Sequence, residues 1–140
     1  MLSRTAVSRG ALIVEGVASE SMKVIVIRAG LVGAYICEYL SSEDHDVTVI
    51  EKDAAVCRKA MDSLDAMVIQ GDGASPALLM QAGLKNCDML VAVSPNDEVN
   101  ILACLAAAKA GVKIKIARLR NPEFSQENAL LGRKELGIDF

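Results

Sequence analysis

From Met22 onward, short apolar runs alternate with longer stretches in which apolar positions recur every three or four residues. Lys23–Ile27 is the first such run and predicts a strand. Leu31–Leu40 follows with helical spacing, Val32, Ile36 and Leu40 forming one stripe. The polar stretch 41–46 predicts a loop, and Val47–Ile50 a second strand ending at Glu51. Asp53 is placed to cap a helix that carries Val56, Ala60 and Leu64 on one face. Ala66–Ile69 predicts a third strand, running into Gly71-Asp72-Gly73. Ser75-Pro76 then reads as an N-cap and first helical residue, and Gly83 closes that helix.

Asp88–Val93 predicts the fourth strand. Ser94-Pro95-Asn96-Asp97 has capping-box spacing and opens an alanine-rich helix that Gly111 stops. Lys115–Leu119 predicts a fifth strand. Asn121-Pro122 starts a last helix that Gly137 ends, and Ile138–Phe140 reads as the beginning of a sixth strand. No two consecutive strands lie close enough for a hairpin, so the strands are parallel and joined by right-handed crossover helices. The pattern predicts an α/β fold: a Rossmann-like, doubly wound parallel six-stranded sheet with helices on both faces.

Composition agrees with that expectation. The 140 residues are 52% hydrophobic but only 3% aromatic, so the core is built from Val, Ile, Leu, Ala and Met, as suits a sheet buried on both faces. The length implies one domain, over residues 22–140. Residues 1–21 read as a leader or upstream extension, mobile and outside the fold; Glu15 interrupts their apolar region, against a secretory signal. A net charge of −3 without a basic excess gives no nucleic-acid footprint. No apolar run reaches the length of a membrane span. The four cysteines (Cys37, Cys57, Cys87 and Cys104) form no Cys-x-x-Cys, and with His45 as the single histidine no zinc set is assembled by local spacing. They read as buried, reduced thiols of a cytosolic protein.

In an open α/β sheet, ligands bind beyond the carboxyl ends of the strands, where strand order reverses. The residues just after each strand therefore matter most. After the first strand stand Arg28, Ala29, Gly30, Leu31, Val32 and Gly33, one residue short of a Gly-x-Gly-x-x-Gly turn. Gly30 would let the backbone approach a pyrophosphate attracted by the helix N-terminus, and Gly33 would let the helix pack closely on the sheet. Glu51 ends the second strand, where a carboxylate can accept ribose hydroxyl protons and repel a 2′-phosphate, which favours NAD over NADP. Lys52, Asp72, Ser94 and Arg118 complete the set at the other strand ends. Each has a plainer reading: a strand–helix turn for the glycines, a solvated strand end for Glu51, a turn residue for Asp72, a helix cap for Ser94 and a surface charge for Arg118. Their common placement on one sheet edge favours a nucleotide site.

The ordered segments MKVIVIRAGLVGAYICEYL, VTVIEKD, GDGASPALLMQAG, DMLVAVSPNDEVNILACLAAAKAG and IARLRNPEF together resemble the N-terminal nucleotide-binding domain of the TrkA family, the RCK or KTN type of regulatory domain. The resemblance covers Met22 to Phe140. It implies a cytoplasmic, non-enzymatic regulatory subunit that binds NAD(H), with ATP, ADP or AMP as the other candidate ligands. It further implies a homodimer or higher ring, held at the inner face of the membrane by a membrane-embedded potassium transporter or channel subunit. By position, phosphates would lie on residues 28–33 and the adenosine ribose on Glu51. Lys52 and Asp72 would flank adenine, Ser94 would line the crevice, and Arg118 would lie near phosphate or a subunit interface. Such proteins usually continue past the sixth strand, so the chain reads as a fragment carrying the nucleotide-binding lobe.

Arg28 departs from the family pattern, which has glycine there. The expectation is that its side chain swings outward, leaves the cofactor space open, and weakens binding of a full dinucleotide more than of a mononucleotide. Two other classes compete with the sensor: an NAD-dependent oxidoreductase fragment and an interaction module with a vestigial nucleotide site. The first lacks a visible substrate domain, a Tyr-x-x-x-Lys pair or a Cys–His pairing.

Overall fold

The computed structural model describes residues 13–14, 17–18 and 21–140. The leader reading of residues 1–21 thus lies almost wholly outside the described residues. Within that stretch, β1 (Ile13–Val14) and β2 (Val17–Ala18) pair antiparallel as a two-stranded sheet of their own.

The remaining strands are the β-branched runs of the sequence. They are β3 (Lys23–Ile27), β4 (Asp46–Glu51), β5 (Met67–Gln70), β6 (Met89–Ala92) and β7 (Ile114–Ala117). All pair in parallel, in the order β5-β4-β3-β6-β7. Side chains alternate across β3 and feed two cores. Ile25 and Ile27 pack with Ile50, Leu90, Leu79 of α3 (Pro76–Gln81) and Ile101 of α4 (Asp97–Ala110). Val24 and Val26 pack with Val47, Val49, Cys37 of α1 (Leu31–Ser42) and Ala60 of α2 (Ala54–Ser63). Both faces of the sheet are therefore covered, as the apolar runs require. Burying each Ile or Leu side chain contributes about 1.5–3 kcal/mol, and this two-sided core, rather than covalent staples, holds the sheet. All four cysteines are buried and free. Burial pushes Cys37 and Cys104 up to about 12, so both are thiols at neutral pH.

The helix ends follow local chemistry. Asp53 accepts from the Val56 N–H and Ser75 from the Leu78 N–H, with Pro76 opening α3. Gly111 ends α4 in the left-handed conformation that Gly adopts without penalty. The cap of α4 departs from expectation. Asn96, not Ser94, accepts from Glu98 and Val99 N–H, because the helix begins only at Asp97. The α1 stripe is also rotated: Gly33, Cys37, Leu40 and Ser41 face inward while Val32 is 43% exposed. Gly33 sets this rotation, since only a residue without a side chain fits beneath the Arg28 carbonyl.

Two further expectations are corrected at the C-terminal side. The helix after Asn121 spans only Pro122–Ser125 (α5), followed by turns. Gln126 is already extended, and Leu130, 91% exposed, has no apolar surface on which a longer helix would rest. Among the described residues the parallel sheet has five strands, and the expected sixth at Ile138–Phe140 is not formed as a strand. Phe140 nevertheless donates to the Lys115 carbonyl at 3.3 Å and accepts from the Ala117 N–H at 3.1 Å, one rung of a parallel ladder beside β7.

Asp139 secures that rung. Its carboxylate accepts from the Lys115 N–H at 2.8 Å and meets the Lys115 ammonium at 3.2 Å. The backbone N–H, aided by the ammonium, holds Asp139 below its ordinary 3.8. A lowered carboxyl pKa contributes stability that is present above the unfolded value and lost as pH falls through the folded one. Protection of the Ala117 amide from hydrogen exchange, corrected for intrinsic rate, should therefore drop on acidification below pH ~3.8. Asp139→Asn should show the low protection already at neutral pH; unchanged protection would contradict the assignment.

Candidate functional site

The order of strands reverses between β3 and β6: the chain runs outward through β4 and β5, then returns to add β6 and β7 on the other side. Loops diverge at such a point and leave a crevice at the carboxyl ends. A cavity of about 370 Å³ lies there. Arg28 reaches it from the end of β3, Glu51 and Lys52 from β4, Asp72 from the loop after β5, and Ser94 from the loop after β6. A larger hollow, of about 440 Å³, lies elsewhere, beside Lys115 and Arg133, and contains none of these residues.

The first turn is locked by backbone donors. The Arg28 N–H donates to the Ile50 carbonyl at 2.7 Å, and the Ala29 N–H to Glu51 Oε1 at 2.8 Å. The Asp53 N–H takes Glu51 Oε2, also at 2.8 Å. Glu51 is 3% exposed, so its carboxylate is a buried brace joining the β3–α1 turn to the start of α2. Each oxygen keeps lone-pair capacity for a further donor. Arg28 has a φ of 87°, the left-handed region that glycine occupies freely. In an arginine this conformation costs about 1–2 kcal/mol.

The Arg28 side chain does not swing outward. It folds over Gly30, where a Cβ would stand 2.9 Å from the Arg28 Nε. The glycine leaves the room that the guanidinium takes. Gly30 is the N-cap of α1 and supplies no side-chain cap, so the dipole and free N–H groups of a twelve-residue helix face this region. These groups suit a phosphate, with Arg28 standing where it would approach.

The other predicted residues divide. Ala29, Gly30 and Leu31 border a separate hollow between α1 and α2, Val32 points to solvent, and Gly33 is buried under the turn. Asp72 accepts from the Ala74 N–H at 2.9 Å, which shapes its loop, and still lines the crevice. Ser94 Oγ donates to the Asn96 carbonyl at 3.1 Å. Arg118 is not brought into the crevice: its Nη2 donates to the Val93 carbonyl at 3.0 Å, and its buried Nε has no partner among the described residues.

Sequence reasoning missed Asn100. This side chain is 0% exposed. Its Oδ1 accepts from the Ser94 N–H at 3.0 Å, and its Nδ2 donates to the Ser94 carbonyl at 2.9 Å and the Arg118 carbonyl at 2.8 Å. One amide thereby ties the crevice wall to the end of β7. Asp97 adds a second tie, accepting from the Arg120 and Asn121 N–H groups. The available signal was an amide three residues past Asp97, on the buried stripe of an otherwise apolar helix.

Comparison with known proteins places the chain. Residues 24–139 match the TrkA-N domain family. The chain is 38% identical over 119 residues to the Trk system potassium uptake protein TrkA of Halomonas elongata, a match covering 84% of this chain and 26% of that protein. It therefore spans about a quarter of that relative's length. Its fold is similar to the GsuK channel bound to NAD, with a TM-score of 0.68 and 15% identity over 85% of this chain and 21% of that one. It is also similar to the Kef CTD of Shewanella denitrificans in AMP-bound form, with a TM-score of 0.60 and 23% identity over 71% of this chain and 60% of that one. The family match spans the whole parallel sheet but one residue of β3, and this chain belongs to the TrkA-N domain family.

Proposed function

We propose that this domain is a nucleotide-sensing regulatory module of potassium transport. It binds NAD(H) or an adenine nucleotide in the crevice and passes the change to a membrane-embedded potassium transporter or channel subunit. One observation carries the reading: a buried carboxylate and two cationic side chains converge on a single crevice at the strand-order reversal, and one of the cations, Arg28, reaches from it over the uncapped N-terminus of α1. The potassium assignment draws on the relative of Halomonas elongata, and the ligand class on the NAD- and AMP-bound neighbours.

In this reading the turn at Arg28, Ala29 and Gly30 meets phosphate, Glu51 faces the adenosine ribose, Lys52 and Asp72 flank adenine, and Ser94 lines the wall. The module acts as a homodimer or higher ring at the inner face of the membrane. Among the described residues no helix is long and apolar enough to cross a membrane. A binding role, rather than hydride-transfer catalysis, is supported by the place of His45. Its Nδ1 accepts from the Met22 N–H at 3.0 Å, at the amino end of β3 and so at the opposite end of the sheet from the crevice.

A second reading, an interaction module with a vestigial nucleotide site, is favoured by the Arg28 guanidinium standing over Gly30. Mass spectrometry of the denatured protein, followed by titration calorimetry, separates the two. We expect co-purified or added NAD(H) or adenine nucleotide to bind, and NADPH to bind several-fold more weakly than NADH, because a 2′-phosphate would face the buried Glu51 carboxylate. Absence of all nucleotide binding would favour the interaction module. NADPH binding as tight as NADH would remove Glu51 from the ribose.

A further inference from the structure

We infer that Arg28 makes this crevice selective for an adenine mononucleotide, one whose 5′-phosphate chain ends at the guanidinium, over a dinucleotide; the inference rests on the nucleotide reading above. Three observations on the turn carry it.

The first is occupancy of space. A glycine at the second position of such a turn serves to let a pyrophosphate approach the backbone. Here the space left clear at Gly30 is filled by the protein itself. A Cβ at Gly30 would meet Arg28 Nε at 2.9 Å, Nη2 at 3.4 Å and Cζ at 3.5 Å. A bridging pyrophosphate that continued into a second nucleoside would have to displace this group. A chain that terminates at the guanidinium would not.

The second is that the backbone beneath is held. Arg28 stays at a φ of 87° because its own N–H is bound to Ile50 and the next N–H to Glu51. The side chain is thus aimed by a turn that cannot relax without breaking both bonds. The third is charge. Among the described residues the guanidinium has no hydrogen-bond or ion-pair partner, and it stands at the N-cap of α1, itself a positive pole. Two positive features converge here, while the buried carboxylate of Glu51 is engaged by Ala29 and Asp53. A terminal phosphate complements both. It offers more free oxygens and more charge than the bridging phosphates of a dinucleotide, and it suits the planar fork of arginine donors.

Titration calorimetry with ADP and with NAD, on wild type, Arg28→Gly and Arg28→Lys, tests the assignment. Wild type should bind ADP about tenfold or more tightly than NAD. Arg28→Gly should weaken ADP by about tenfold or more without weakening NAD, and Arg28→Lys should fall between, since it keeps the charge but loses the fork. Glycine is at ease at this φ, so Arg28→Gly should fold at least as well as wild type, which an unfolding curve verifies. NAD binding equal to or tighter than ADP in wild type would overturn the inference, as would an equal loss of both ligands in Arg28→Gly. If wild type binds neither ligand, the nucleotide reading itself falls, and the selectivity with it.

Discussion

Asn100→Ala is expected to lower the unfolding free energy by about 3–4 kcal/mol, because it strands two buried backbone groups and a third, partly buried one. The Ser94 N–H, the Ser94 carbonyl and the Arg118 carbonyl all lose their partner, and the side chain that served them is 0% exposed. An unsatisfied buried group costs about 1–3 kcal/mol, and the estimate sits near the low end for three because one of them is only partly buried. Against a typical total of about 5–15 kcal/mol this is a large fraction. Urea unfolding checks it: the midpoint should fall sharply while the slope stays constant. Asn100→Asp should be no better, since it keeps one acceptor but turns a carboxylate toward two carbonyls. A loss below about 1 kcal/mol in Asn100→Ala would mean that the amide is not the tie between β6 and β7 that its geometry indicates.

Gly33→Ala should cost about 2–3 kcal/mol or more, whereas Gly30→Ala should cost well under half as much. The two glycines belong to one turn, yet their surroundings differ. A methyl at position 33 would overlap the carbonyl oxygen of Arg28, a backbone atom fixed by the bonds of Arg28 to Ile50 and of Ala29 to Glu51. A methyl at position 30 would press on the Arg28 side chain, where a small side-chain shift suffices and no backbone atom must move. Thermal unfolding of both variants separates them. The Gly33 variant should also bind nucleotide more weakly, because α1 must move off the sheet and carry its N-terminus with it. Equal destabilisation by the two substitutions would contradict the account of the turn.

Much of the scaffold was legible in the chain itself. Runs such as Val24–Ile27 and Met89–Val93 are apolar on consecutive positions, which suits short strands of a sheet covered on both sides, and the structure buries β6 throughout. Caps with a direct local mechanism, Asp53 and Ser75-Pro76, were legible for the same reason: the acceptor lies within three residues of its donor. Ser94 failed because two residues in one short stretch offer similar caps, and the choice of Asn96 depends on where the helix starts, which α4 packing decides.

What the sequence alone determined was therefore the fold class, the order of elements and the set of residues delivered to the strand ends, since periodicity and turn chemistry act over a few positions. Only the tertiary structure decided how those residues meet. It set Glu51 as a brace under the turn, withheld Arg118 from the crevice and laid the Arg28 guanidinium over Gly30. It also made Asn100 the link between the ends of β6 and β7, through an acceptor 18 residues away. Each outcome depends on a partner distant in sequence, in the case of Arg28 through the bond of its N–H to the Ile50 carbonyl. The contact exists only once parallel pairing has brought β3, β4, β6 and β7 to one edge.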